Sequence, residues 1–537
     1  MQRSNYNGWR SLCLPHVLFY TFVIIIILFL LILTITVAKS KSYVARSSAV
    51  HGAFNDIIGF PALHSSKHDP YVQWTFLHLN DVYELLPLDR GRRGGLARVA
   101  YIRKLLKEEN PHTYTILAGD LLSPSALSSS KVNGTNLNGK QMIATMNTLG
   151  LDLMTLGNHE FDLSEKDLIA RMNESTFTWI STNVFQKDSN ELFGPSISHK
   201  IITIESVRVL FIGLTIDNNQ PYIRIINRTS LINYVQQYLD KFPNGTYDIL
   251  VAITHLNVEM DMKLAEQIPR IDLILGGHEH ENQYYIRGYQ QTPIYKADAN
   301  AFTVYILRCT YNMRTRQFHV YPTLSPVTSA IPEEEQTAQV ANYWFKLGVE
   351  GYRATGFELS EVVSCLPSGV ELDGRSESIQ ASSTLLTDLM CQAMIKSTEF
   401  TQTTIGFLKI GTIRIDDVLR GTITQYDILR TLPFTNYVQS ISISGQVLAR
   451  ILTDNLSKQR KGSLLAYIGV ETLDDGQTWL VNGTDVSISN QNYRIATTDY
   501  TQQRLALNST DMTILAKTNL LLSKSFMDFL RIKYPPC

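Results

Sequence analysis

Cysteine is scarce in this chain: five among 537 residues, with no CxxC spacing, which excludes a cysteine-ligated zinc site. Basic runs are missing after residue 47 and the formal net charge is −1, so nucleic acid is not an expected partner. Internal repeats, low-complexity tracts and a hydrophobic C-terminal tail are also missing, and the last argues against a GPI-anchor signal. What is present is ordinary for a globular protein: 44% apolar and 18% charged residues, in a length that suits two or three domains with full-sized cores.

One long run without charge stands near the start. Val17–Ala38 is long enough to span a bilayer and is read as an uncleaved signal anchor, between a short tail (residues 1–16) and a stalk (39–70). Its alternative is a cleaved secretory signal, with Arg3 and Arg10 as the basic part and Thr36-Val37-Ala38 as the cleavage site, leaving a secreted product. Basic residues flank the run on both sides, so the positive-inside rule does not orient it. A short tail before and a large body after point to an extracellular or lumenal body. The seven sequons, at Asn133, Asn173, Asn227, Asn244, Asn455, Asn482 and Asn508, add weak support. Cys13 precedes the run and is either free or lipidated, while Cys309, Cys365, Cys391 and Cys537 follow it and leave three disulfide pairings open.

Five apolar runs then end in polar clusters. Trp74–Leu79 leads into Asn80-Asp81-Val82-Tyr83 and Tyr114–Ala118 into Gly119-Asp120. Leu149–Met154 leads towards Gly157-Asn158-His159-Glu160-Phe161-Asp162, Ile249–Ile253 into Thr254-His255, and Ile271–Leu275 into Gly276-Gly277-His278-Glu279-His280. Helical patterns lie between them, at Gly95–Glu109, Lys140–Leu149, Ser164–Met172, Thr229–Phe242 and Met260–Ile268, and Ile201–Ile204 with Val207–Leu214 reads as a hairpin. Strands alternating with helices predict an α/β layered sandwich with a mixed central sheet. Ligands of such sheets bind beyond the carboxyl ends of the strands. Asp81, Asp120, Asn158, His159, His255, His278 and His280 are therefore expected to converge. Their carboxylates, amide and imidazoles suit two divalent ions of Zn, Mn or Fe type better than magnesium alone.

In order and spacing, Gly119–Ser125 (GDLLSPS), Gly157–Asp162 (GNHEFD), the lone His255 and Gly276–His280 (GGHEH) resemble the calcineurin-like metallophosphoesterases. The region after residue 355 narrows the resemblance to the 5′-nucleotidase family, over roughly residues 72–500. The resemblance implies a first ion on Asp81, Asp120 and His280 and a second on Asp120, Asn158, His255 and His278, with Asp120 supplying an oxygen to each. Two such ions about 3.5–4 Å apart can clamp a phosphoryl group and lower the pKa of a water. It further implies that His159 is no ligand but stabilises the transition state or protonates the leaving group, with Asp162 holding its tautomer.

Several residues depart from the family pattern. Asp81-Val82-Tyr83 stands where the family has Asp-x-His. A phenol with a pKa of about 10 is a poor ligand at neutral pH, so Tyr83 is expected to pack beside the site; its alternative is a phenolate favouring a harder ion such as ferric iron. In the second domain Arg414 and Phe434 match positions that hold the phosphate side and stack a nucleobase. Thr501-Gln502-Gln503-Arg504 stands near the place of the family's Gly-Asp-Gly, and neither its second stacking aromatic nor its arginine pair near Gln380–Thr384 is found.

The expected architecture is thus a transmembrane helix, a metallophosphoesterase domain (71–330), a linking helix (331–355) and an α+β substrate-binding domain (356–537). The expected reaction is hydrolysis of nucleoside 5′-monophosphates to nucleoside and phosphate. The alternatives are another phosphoester or pyrophosphate, such as a nucleotide sugar or a 2′,3′-cyclic nucleotide, and a catalytically weak ectodomain with a binding role. Expected partners are the phosphoester substrate, the membrane through the apolar run, and a second copy of the chain in a homodimer.

Overall fold

The computed structural model describes residues 70–457, 464–473, 476–505, 507 and 510–537. The expected tail and anchor, and the stalk up to residue 69, lie outside these. Among the described residues no helix is long and apolar enough to cross a membrane.

The N-terminal body holds two six-stranded sheets. The first runs Phe318–Pro326, Thr303–Asn312, Tyr71–Leu79, Thr113–Leu117, Leu153–Thr155, Thr178–Ile180, its last four strands parallel. The second runs Gln283–Arg287, Thr292–Lys296, Leu273–Gly276, Ile249–His255, Val207–Thr215, His199–Ile204, parallel in its middle four. The expected mixed central sheet is therefore two mixed sheets packed face to face. Trp74 and Phe76 meet Phe211, Val251 and Ile253 in the core between them, while Leu77 and Leu79 turn to the helices on the outside. Both faces of each central strand are apolar, and strand periodicity does not say whether a helix or another sheet covers a face.

Helices cover the outer faces. Leu96–Glu109, Lys140–Leu149 and Glu165–Glu174 pack on the first sheet, Leu231–Leu239 and Val258–Gln267 on the second. The Ser164 hydroxyl caps its helix by accepting from the Asp167 amide at 3.1 Å, as expected from the sequence. The expected hairpin is present over His199–Ile204 and Val207–Thr215.

Helix Glu335–Arg353 leads from this body to the next, capped by the Glu334 carboxylate, which accepts from the Gln336 and Thr337 amides. Gly348 lets it lie directly on the N-terminal body, since a Cβ there would come within 2.5 Å of Leu127. The C-terminal body is built on a sheet ordered Leu465–Ile468, Ile405–Lys409, Asn492–Thr498, Tyr437–Ser444, Met512–Leu521. Helices Leu385–Ser397 and Leu522–Lys533 cover one face and Gly445–Ser457 the other. Of the three pairings left open, the structure takes one disulfide, Cys365–Cys537, with Cα atoms 5.6 Å apart; Cys309 and Cys391 are buried thiols.

The two bodies meet through polar contacts close to the strand ends. Arg430 donates to Glu84 at 2.9 Å and the Tyr426 hydroxyl to the same carboxylate at 2.5 Å, with both charged side chains buried. Arg93 holds Asp417 with two hydrogen bonds, at 3.0 and 2.8 Å.

Candidate metal centre

All seven residues expected to converge do so, at the carboxyl ends of five parallel strands. Their donor atoms form two groups. Asp81 Oδ1 lies 3.4 Å from His280 Nε2. Asn158 Oδ1 lies 3.1 Å from both His255 Nε2 and His278 Nδ1, and His255 Nε2 lies 3.3 Å from Asp120 Oδ2. Asp81, Asp120 and His255 bring buried donor atoms within 4.8 Å of one another. Donors tetrahedrally arranged at about 2.0–2.1 Å from one ion stand about 3.3–3.4 Å apart. The distances around Asn158 and His255, and the one between Asp81 and His280, fit metal ligation.

Asp120 differs from the expectation that it gives one oxygen to each ion. Its Oδ1 accepts the His159 amide at 2.8 Å, and Oδ2 alone faces both donor groups. Tyr83 also differs from a residue that merely packs. Its hydroxyl stands 3.0 Å from Asp120 Oδ2, 3.2 Å from His280 Nε2 and 3.3 Å from Asp81 Oδ1.

The backbone reaches this arrangement through conformations that side-chain-bearing residues rarely adopt. Asp81, Asp120 and His278 all have positive φ (53°, 58° and 83°). Close approach needs glycine as well: a Cβ on Gly157 would fall 2.1 Å from Asp120 Oδ1. Buried polar groups hold the strained loops. The Glu160 carboxylate accepts the amides of Asp120, Leu121, Leu122 and Gly157 at 2.6–3.2 Å. The Asn80 side chain bridges Asp81 Oδ2 (2.7 Å) and Ala297. Lys296, fully buried, donates to the carbonyls of Leu256 and Gly277 and pairs with Asp261 and Glu279.

Three of the four histidines are oriented by the partner of their other nitrogen. His255 Nδ1 donates to the Ala118 carbonyl at 2.8 Å, which leaves Nε2 for the site. His280 Nδ1 lies 2.6 Å from Asp416 Oδ2 of the C-terminal body. His159 Nδ1 lies 2.8 Å from Asp162, and its Nε2 faces an Arg414 nitrogen at 3.0 Å. A guanidinium can only donate, so His159 Nε2 is the acceptor and its proton sits on Nδ1, towards Asp162.

The electrostatics call for cations. Burial disfavours charge on His255, yet the Asp120 and Asp81 carboxylates outweigh it and lift the imidazole to about 9. Burial likewise opposes, and Asp416 and Asp81 overcome it, in raising His280 well above its ordinary value. His278 goes the other way: desolvation, then the charges of His255 and Lys296, push it down to about 3. The neighbouring carboxylates thus favour positive charge on His255 and His280, and an entering cation would compete with protons there.

The comparisons agree with this geometry. The family model for the calcineurin-like phosphoesterase matches residues 75–282, and that for the 5′-nucleotidase C-terminal domain matches 367–505. The chain belongs to the 5′-nucleotidase family of calcineurin-like phosphoesterases. It is 24% identical to the 5′-nucleotidase of Bos taurus over 447 residues, covering 75% of each chain. It is 23% identical to a snake venom 5′-nucleotidase of Gloydius brevicauda over 449 residues, covering 75% of this chain and 73% of the other. Among solved structures, a 5′-nucleotidase precursor of Thermus thermophilus superposes with a TM-score of 0.69 at 20% identity, over 86% of this chain and 97% of that one. A sulfate thiohydrolase of Thermus thermophilus does so with 0.64 at 15%, over 88% and 96%. These likenesses show the fold, on which more than one reaction runs.

Against the family pattern, the C-terminal body brings residues to the site that the sequence alone did not single out. Asp416 is one. Tyr500, on the short helix Asp499–Gln503, lies next to the loop that carries Arg414: a Cβ on Gly411 would lie 4.0 Å from its hydroxyl. Arg414 itself stacks over the half-buried Phe434 ring, 5.3 Å from its centroid. The Asp-Tyr pair before Thr501 was visible in the sequence, but its proximity to Gly411 is made by the pairing of Ile405–Lys409 with Asn492–Thr498.

Proposed function

We propose that this enzyme hydrolyses nucleoside 5′-monophosphates to nucleoside and phosphate. The reading is carried by one observation: two donor groups share Asp120 Oδ2, and the Arg414 and His159 side chains meet beside them. The first group (Asp81, Asp120, His280) and the second (Asp120, Asn158, His255, His278) would hold two divalent ions of Zn, Mn or Fe type. Such a pair withdraws charge from phosphoryl oxygens and makes hydroxide accessible at neutral pH.

The chain's own residues do the rest. Arg414 gives its two-pronged positive charge to the phosphate oxygens. Asp162 keeps a proton on His159 Nδ1, so that Nε2 stays turned to the substrate, where in its protonated form it delivers a proton to the leaving ribose oxygen. Phe434 and Tyr500 flank the loop of Arg414 and receive the base by stacking, an interaction of about 1–3 kcal/mol per base. Thr501–Arg504 in place of Gly-Asp-Gly favours a second reading, in which the preferred substrate is another small phosphoester, such as a nucleotide sugar or a 2′,3′-cyclic nucleotide.

The catalytic body comprises residues 71–330, the segment 331–355 with its helix Glu335–Arg353 links it, and 356–537 bind substrate. Residues 17–38 anchor the chain with this body outside the cytoplasm; the Cys365–Cys537 disulfide fits an oxidising compartment. The test is phosphate release by the full-length protein from nucleoside monophosphates, nucleotide sugars and cyclic nucleotides, with Zn, Mn, Co, Mg or Fe and after chelation. Chelator-sensitive turnover of monophosphates, lowered about 10²–10⁴-fold in His159→Ala, is the expected result. Turnover with no metal dependence, or none with any metal, overturns the reading.

A further inference from the structure

We propose that Ser123 is a positioning residue for His159: its hydroxyl holds the Asp162 carboxylate in the direction that keeps the imidazole turned to the substrate. The inference rests on the hydrolase reading above and adds a third member behind the imidazole.

The chain that follows Asp120 gives this serine its place. Leu121 and Leu122 donate their amides to the buried Glu160 carboxylate, at 2.6 and 3.2 Å, which brings this stretch beside the turn Glu160–Asp162. Ser123 comes next, 6% exposed, and its Oγ stands 3.0 Å from Asp162 Oδ2. The same oxygen lies 2.8 Å from His159 Nδ1. An ionised carboxylate only accepts, so the hydroxyl and the imidazole N–H both donate to this one oxygen. Arg414 faces the other nitrogen of the ring at 3.0 Å.

The loop that carries Ser123 is braced by its own backbone, by the C-terminal body and by the linking helix. Ser128 donates to the Leu122 carbonyl at 2.8 Å, Ser129 to that of Pro433 at 2.9 Å and Ser130 to that of Gly348 at 2.7 Å. The Tyr352 hydroxyl of the linking helix donates to the Ala126 carbonyl at 2.6 Å. These three serines turn their hydroxyls to backbone carbonyls, which fixes the loop. Ser123 turns its own to a carboxylate in contact with His159.

Asp162 needs such a hold. Its side chain is 28% exposed and turns about its Cα–Cβ and Cβ–Cγ bonds, so water competes for its oxygens. A hydrogen bond to an ionised group is roughly twice as strong as one between neutral groups. Coming from a braced loop, it orders few further groups. Without it the carboxylate is free to turn to solvent, and the imidazole loses the partner that sets its plane. Ser123 therefore acts through Asp162, on the nitrogen opposite the one that Arg414 faces.

The experiment is a double-mutant cycle on the full-length protein loaded with zinc or manganese. It reads bound metal, and kcat and KM for the best substrate among nucleoside monophosphates, nucleotide sugars and cyclic nucleotides. Ser123→Ala should lower kcat about tenfold, the low end of what removing such an outer partner does, with KM and the bound ions unchanged. In the Asp162→Ala background the same change should have no further effect, because the carboxylate through which Ser123 acts is gone. A hydroxyl that merely stabilises the loop would lower kcat equally in both backgrounds. That result, a loss carried by KM, or full activity in Ser123→Ala overturns the assignment and leaves the hydrolase reading standing. No chelator-sensitive turnover in the parent protein overturns the hydrolase reading, and this assignment with it.

Discussion

Asp416 Oδ2, carried by the C-terminal body, lies 2.6 Å from Nδ1 of His280, a candidate ligand on the N-terminal body. The contact crosses the domain interface and ends on the nitrogen opposite the one that faces the site. A carboxylate in that place fixes the ring and raises its basicity as a donor. Docking of the C-terminal body therefore completes the surroundings of the proposed first metal position, as well as delivering Arg414.

Replacing Asp416 tests this coupling. Asp416→Ala should weaken ion binding at the first position by about 10–100-fold and leave the second, whose ligands all come from the N-terminal body, nearly unchanged. Stepwise metal titration by calorimetry separates the two. Equal weakening at both positions would mean that the substitution disturbs the fold instead.

Much of this site was legible in the sequence because parallel strands deliver their ends to one edge, so that residues after Leu79, Leu117, Thr155, Ile253 and Leu275 must meet. What was not legible depends on side-chain direction and on the other body. Glu160 reads as one more acid in a polar cluster, and only the structure shows its carboxylate collecting four backbone amides. Asp416 reaches His280 across more than a hundred residues, and Tyr500 comes beside the Arg414 loop through the pairing of Ile405–Lys409 with Asn492–Thr498. The second sheet was missed for a simpler reason. Apolar residues on both faces of Ile249–His255 are equally consistent with helices above and below.

The buried pair between Glu84 and Arg430, with side chains only 6% and 5% exposed, allows a test of how the bodies are held together. Removing one member leaves an uncompensated buried charge. Arg430→Met should destabilise the protein by about 3–5 kcal/mol, read as a lower midpoint in urea. The double variant Glu84→Gln/Arg430→Met should recover much of that loss, because the orphaned charge is gone. A double variant as unstable as Arg430→Met would show that the guanidinium acts by packing.

Exposure sorts the sequons, given a body outside the cytoplasm. Asn133, Asn173, Asn227, Asn244 and Asn482 are exposed. Asn455 is buried, and its amide both donates to and accepts from the Leu465 backbone, at 2.9 and 2.7 Å. Peptide mass mapping of protein from a secretory host should find glycans among the five exposed sites and none at Asn455. Asn455→Ala should cost about 1–3 kcal/mol, the cost of leaving buried backbone groups unpaired.

Acid stability should depend on His78, which is fully buried beneath the site and donates from Nε2 to the Gly276 carbonyl at 3.1 Å. Burial depresses its imidazole from 6.5 to about 4. The unfolded chain therefore binds a proton between those values that the folded chain refuses. Stability from this group is complete above pH 6.5 and falls as the pH drops towards 4, by about 3 kcal/mol in all. His78→Gln keeps a donor for Gly276 but does not titrate. It should lower stability at pH 7 through imperfect packing, yet lose less between pH 6.5 and 4 than the parent does. Urea unfolding at four or five pH values, in chelator so that metal binding does not contribute, compares the two slopes. Parallel slopes would mean that the acid sensitivity lies in the carboxylates and not in His78.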